Sequence, residues 1–101
     1  MKIYGIRGRE VMACPGSWAY IAEAEVEEDD GSETYVTAQT YAEGLELTVS
    51  KESVYGFMVV GVGDPVENFI EEYTTWSSAK ESKYADVFKK LKSVMNMLGR
   101  K

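Results

Sequence analysis

Histidine is missing from this 101-residue chain. Its absence removes the commonest general base, the usual catalytic triads and most zinc sites. Cysteine occurs once, at Cys14, so no intramolecular disulfide can form. With no second thiol or histidine to activate it, Cys14 reads as a small, semi-buried residue rather than a nucleophile. A lone cysteine fits a reducing compartment. No apolar run approaches the roughly 18 residues that a membrane span needs, and no apolar stretch follows residues 1–7 as a signal peptide requires. The expectation is cytoplasmic residence with no membrane partner.

Positive charge is scarce in the middle of the chain. Between residues 21 and 75 Lys51 stands alone against fourteen acidic residues. The ends are basic: residues 1–20 carry three cationic side chains against one acid, and residues 76–101 carry seven against two, leaving a net charge of −6. One reading is that acidic and basic parts complement each other within one domain. The other is an acidic surface that engages a basic partner.

What the chain does have is enough to fold. Its 45% hydrophobic and 12% aromatic content argues against disorder, and its length matches a single domain spanning residues 1–101. No repeat, low-complexity tract or long linker divides it.

The stretch from Trp18 to Tyr41 reads as a hairpin. On the first strand, from about Ser17 to Glu28, Trp18, Tyr20, Ala22, Ala24 and Val26 share one face, and Ala19, Ile21, Glu23, Glu25 and Glu27 share the other. Asp30-Gly31 supplies turn chemistry, and Glu33–Tyr41 returns as a Thr-, Tyr- and Val-rich strand. A two-residue loop sets Val26 opposite Tyr35, and a three-residue loop sets it opposite Thr34. Seven of the thirteen residues from Ile21 to Glu33 are acidic: Glu23, Glu25, Glu27, Glu28, Asp29, Asp30 and Glu33. The three alternating glutamates are expected to form a solvated row.

Elsewhere, Lys2–Arg9 alternates as a first strand, and Cys14-Pro15-Gly16 breaks it. Glu43-Gly44 makes a turn before an alternating strand at Leu45–Val49. Ser50–Ser53 makes another turn, and Val54–Val60, apolar on both faces, predicts a central fifth strand. The pattern then changes to a helical period. Asp64-Pro65 signals a helix start, with Val66, Phe69, Ile70, Tyr73 and Trp76 on one stripe. Ser78-Ala79-Lys80-Glu81 fits a capping box opening a second helix, with Tyr84, Val87, Phe88, Leu91, Val94, Met95 and Leu98 on its apolar stripe and Gly99 as its stop. Five strands followed by two amphipathic helices predict an α+β fold, a mainly antiparallel sheet with both helices packed on one face. The other face is expected to be at least partly wet.

Several chemical readings fail on spacing. Gly61-Val62-Gly63 precedes the expected helix, but the third glycine of a dinucleotide fingerprint is replaced by Val66 and the lysine of a phosphate loop is missing. The acids of the hairpin do not follow a calcium-loop spacing. A glycosidase pair needs one carboxyl in an apolar site, which an exposed row does not offer. The lysines of the last helix are interspersed with Glu81 and Asp86, and the acidic remainder repels phosphate, so direct nucleic-acid binding is not expected. No metal or cofactor is expected either.

Imitation of nucleic acid is limited by a distance. Carboxylates at i and i+2 on a strand lie roughly 6.7 Å apart, whereas one strand of a duplex carries a phosphate about every 3.4 Å. Glu23, Glu25 and Glu27 therefore supply about half the needed density, and a second row is required. The expected function is a small, non-enzymatic interaction protein that binds a basic surface through the seven hairpin acids. Inhibition of a nucleic-acid-binding protein, in the manner of small acidic inhibitors from phages and mobile elements, is its most specific form. The alternative is a structural or regulatory module that docks a partner through exposed aromatics, its charge serving solubility.

Overall fold

The computed structural model describes the backbone of residues 1–14, 17–41 and 44–99, and the side chains of residues 1–11, 19–40 and 44–99. The breaks expected at Pro15-Gly16 and at Glu43 lie outside the described residues, as do the side chains of Cys14, Trp18 and Tyr41. Five antiparallel strands follow one another in space as they do in sequence: β1 (Lys2–Cys14), β2 (Ser17–Glu27), β3 (Glu33–Tyr41), β4 (Gly44–Ser50) and β5 (Glu71–Tyr73). One helix, α1 (Ala85–Leu98), crosses the sheet over β1, β2 and β3.

The alternation of β2 sets the two faces. Ala22, Ala24 and Val26 are fully buried beneath α1, together with Val36 and Ala38 of β3 and Leu47 and Val49 of β4. Val87, Phe88, Leu91 and Met95 are the buried side of α1, with Tyr84 just ahead of it. The alanines leave room for the larger helix side chains, so volume is matched across the interface. Over β1 the approach is closer still. A Cβ on Gly8 would stand 2.7 Å from Val94 Cγ1 and 3.1 Å from Leu98 Cδ1.

The hairpin register is Val26 opposite Thr34, the three-residue alternative. Glu28 N–H donates to Ser32 O at 2.8 Å, and Gly31 N–H donates to Glu28 O at 2.9 Å. Gly31 adopts φ 86°, the left-handed position that such a loop assigns to glycine.

Two elements differ from the sequence expectation. Val54–Val60 is not a strand: it is a helical turn whose last five residues, Gly56–Val60, have π-type geometry. Ser53 starts it, its Oγ accepting the Gly56 N–H at 2.9 Å. Gly61, at φ 71°, ends it by donating to Phe57 O at 3.1 Å. Local capping at both ends outweighs the apolar run. Being apolar on both sides does not make the segment central, since Met58 and Val60 are exposed.

The helix expected from Asp64 is also absent, so one helix of the expected pair packs on the sheet. Gly63 and Asn68 both adopt positive φ, which interrupts any helix there. Ile70 N–H donates to Val49 O at 2.8 Å, and β5 pairs with β4 from Val49–Glu71 to Leu47–Tyr73. The otherwise bare edge of β4 takes these residues as a strand, and the pairing overrides a weak helical stripe. None of Val66, Phe69, Ile70, Tyr73 and Trp76 is fully buried.

The second expected helix forms, but later than Ser78. Residues Ser78–Glu81 make a 3-10 turn whose first N–H, on Ser78, is taken by Thr75 Oγ1 at 3.2 Å. Ser82 is extended, and its Oγ accepts the Tyr84 N–H at 3.0 Å, the contact of an N-cap side chain.

Candidate interaction surface

The face of the sheet away from α1 carries the acidic row, and the structure divides that row in two. Glu23 is not solvated. Only 1% of it is exposed, and its carboxylate has four donors. Arg7 Nη2 (2.9 Å) and Ser53 Oγ (2.6 Å) donate to Oε1, while Thr37 Oγ1 (2.9 Å) and the Tyr55 N–H (2.9 Å) donate to Oε2. Register explains two of these: Arg7 and Thr37 are the cross-strand neighbours of Glu23 on β1 and β3. The other two come from the segment after β4, which Glu23 thereby ties down on this face. Arg7 adds a stacking contact, its guanidinium carbon 4.4 Å from the centre of the Tyr55 ring. A buried carboxylate is tolerated when it is paired and its lone pairs are satisfied, as here.

The rest of the row lies toward the hairpin end and is open. Glu25, Glu27 and Glu33 line a shallow hollow of about 260 Å³ with Tyr4 and Gly31. Glu27 and Glu33 stand directly opposite each other, and Glu25 stands opposite Tyr35. Like charges opposed on neighbouring strands repel. Among the described residues none of these three glutamates makes an ion pair. Lys2 is the register neighbour of Glu27, yet its ammonium lies over the Tyr4 ring, 5.1 Å from the centroid.

Tyr4 reaches this site through an irregularity. The β1–β2 register passes from Ile3–Val26 to Gly5–Glu25, leaving Tyr4 as an extra residue on a bulge, 57% exposed. Its hydroxyl donates to Glu27 Oε2 at 2.5 Å. That bond, and the charge of Glu27, raise the Tyr4 pKa above the ordinary phenol value. Tyr35 donates to Glu33 Oε2 at 3.2 Å, and its pKa is raised first by burial and then by the Glu33 charge.

The remaining hairpin acids have internal partners. Glu28 accepts a hydrogen bond from the Tyr84 hydroxyl and pairs with Lys83 Nζ at 3.1 Å, which joins the hairpin to the approach of α1. The Tyr84 bond is the main cause holding the Glu28 pKa below the usual glutamate range. Asp29 pairs with the amino terminus of Met1 at 2.5 Å, and that hydrogen bond lowers its pKa. Asp30 accepts from Ser32 Oγ (2.6 Å) and the Ser32 N–H (2.9 Å), which lower its own.

Of the seven acids singled out by the sequence, Glu23 and Glu28 are thus framework residues. Glu25, Glu27 and Glu33 converge, with Asp29 and Asp30 exposed at the tip. Tyr4 and Tyr35 were missed. Gly5, next to a tyrosine in an alternating strand, is the weak signal for the bulge that places Tyr4. Two acids outside the hairpin, Glu67 and Glu71, lie apart from this cluster. Glu71 is held by the Tyr73 hydroxyl at 2.6 Å, and Glu67 shares a separate hollow with Glu52 and Asp64. Among the described residues no three Cys, Asp or Glu side chains converge as metal ligands, and no helix is long and apolar enough to cross a membrane. No protein-family model, no curated protein and no solved structure matches this chain.

Proposed function

We infer that this is a non-enzymatic interaction protein that binds a basic protein surface through the open end of its acidic hairpin. Glu25, Glu27 and Glu33 are the contacts, Asp29 and Asp30 extend them at the tip, and Glu23 and Glu28 hold the scaffold. The observation that supports this most is the opposition of Glu27 and Glu33 beside Glu25, with no ion pair to any of the three among the described residues. A lysine or arginine entering the hollow relieves that repulsion and gains charge-assisted hydrogen bonds. Tyr4 and Tyr35 add ring surface against the aliphatic part of such a side chain. In the form of inhibition, the partner is a nucleic-acid-binding protein whose basic groove this cluster occupies. Three clustered carboxylates suit a few cationic side chains better than a long phosphate track.

The test is capture from lysate with the wild type and with E25K/E27K/E33K, at low and at high salt. The expected result is a partner retained by the wild type at low salt, lost at high salt, and not bound by the variant. A partner that survives both the reversal and high salt refutes the electrostatic reading. It would favour docking through exposed side chains, for which the 57% exposure of Tyr4 is the supporting observation. If the captured protein binds nucleic acid, competition between the two ligands tests the inhibitory form.

A further inference from the structure

A largely apolar surface hollow lies on the other side of the molecule, between the turn carrying Trp76 and the N-terminal half of α1. It encloses about 330 Å³. Trp76, half-buried, is its open aromatic wall, and the almost fully buried Ala79 and Phe88 close its floor. Three lysines line it: Lys80 from the 3-10 turn, and Lys89 and Lys92 from α1. Asp86 is the one acid among the lining residues, so the lining carries a net +2 in a protein whose total is −6. Lys92 Nζ stands 5.8 Å from the centre of the Trp76 ring, over its face.

Lysines on an exposed helix commonly serve only solubility, and Lys90, which takes no part in the hollow, fits that description. Lys89 and Lys92 differ because they converge with a lysine from another element on one apolar cavity. The volume lies at the lower end of the roughly 300–1,000 Å³ range of small-ligand sites. An apolar cleft with a few charges at its mouth orients a ligand by its charged end and holds it by its ring. We propose that this hollow is a binding site for a small aromatic anion, an aryl carboxylate, sulfonate or phosphate. Its ring packs against Trp76 above the floor closed by Ala79 and Phe88, and its anionic group meets the lysines. This site is independent of the acidic hairpin.

The experiment uses the full chain, isotope-labelled, titrated separately with naphthalene-2-sulfonate, neutral 2-naphthol, methanesulfonate and hexaglutamate. The expected result is saturable binding of naphthalene-2-sulfonate, with shifts at the Trp76 indole N–H and the backbone amides of residues 79–92. The other three probes bind much more weakly. K89E/K92E, which alters two exposed side chains, is expected to weaken naphthalene-2-sulfonate about tenfold with an unchanged far-UV spectrum. Equal binding of 2-naphthol overturns the proposal by showing a merely apolar cleft. Hexaglutamate binding as tightly overturns it in favour of an acidic protein segment. Unaltered affinity in K89E/K92E, or shifts confined to other parts of the sheet, overturns it as well.

Discussion

Removing the Glu23 carboxylate is the most direct test of how the outer face is built. In Glu23→Ala the Tyr55 N–H and the buried Thr37 hydroxyl lose their acceptor. A buried donor left without an acceptor costs about 1–3 kcal/mol. Two of them set the expected loss at about 2–6 kcal/mol, with ~3 kcal/mol as the working figure. Arg7 adds little, because half of its side chain already faces water. For a domain of this size ~3 kcal/mol corresponds to a fall in melting temperature of about 12–24 °C. Glu23→Gln keeps the shape and, with its carbonyl in the place of Oε2, the acceptor for Thr37 Oγ1 and the Tyr55 N–H. Its expected cost is about 1 kcal/mol, the difference between charged and neutral hydrogen bonds. Glu25→Gln, two residues along the same strand face, makes none of these contacts and is expected to fall within about 0.5 kcal/mol of wild type. Urea denaturation of the four proteins gives the ranking, and amide hydrogen exchange gives the location. In Glu23→Ala the Tyr55 amide should exchange faster by orders of magnitude relative to the amides of β2 and β3. If Glu23→Ala matches Glu25→Gln in stability and the Tyr55 amide stays protected, the carboxylate does not anchor the segment after β4.

Two further outcomes follow from other contacts. Tyr84→Phe removes the hydroxyl that lowers the Glu28 pKa. A carboxylate with a depressed folded-state pKa stabilises above its unfolded value and loses that contribution as pH falls through the folded value. The variant should therefore be less stable by about 1.5–3 kcal/mol at neutral pH, with the gap closing in acid below the usual glutamate range, as read from urea midpoints across pH. Gly8→Val drives new atoms into Val94 and Leu98. Its expected cost is about 1–3 kcal/mol, partly recovered by Val94→Ala, and thermal unfolding of the two variants checks both.

Much of the framework is legible in the residues themselves. The two faces of β2 follow from strict alternation, and the α1 stripe from Tyr84 to Leu98 enters the core as its spacing implies. A period repeated over several residues leaves few competing arrangements. Val54–Val60 misleads because its apolar run is the stronger local signal, while the caps at Ser53 and Gly61 decide the outcome. The strand at Glu71–Tyr73 was hidden for a different reason. Its cause is the open edge of β4, a feature of the assembled sheet that no local window contains.

The acidic surface shows the same division. Composition finds the seven carboxylates but not their duties. Arg7 and Glu23 are sixteen residues apart, and only the β1–β2 register brings them side by side. The donors from Ser53 and Tyr55 depend on the return of a distant segment. Glu23 therefore looks, in sequence, the same as Glu25 and Glu27, while in the fold it is a buried anchor.

The position of α1 has a consequence for synthesis. Strands β1 to β4 precede it in the chain, and their pairings are between neighbours, so the meander can form while residues 85–98 are still to be made. Until then Ala22, Val26, Val36, Leu47 and Val49 present an apolar plane with no cover. A nascent or truncated chain is thus at its most aggregation-prone just before completion of the helix. Over that interval the acids of the β2–β3 hairpin, already in place, repel those of another partly made copy.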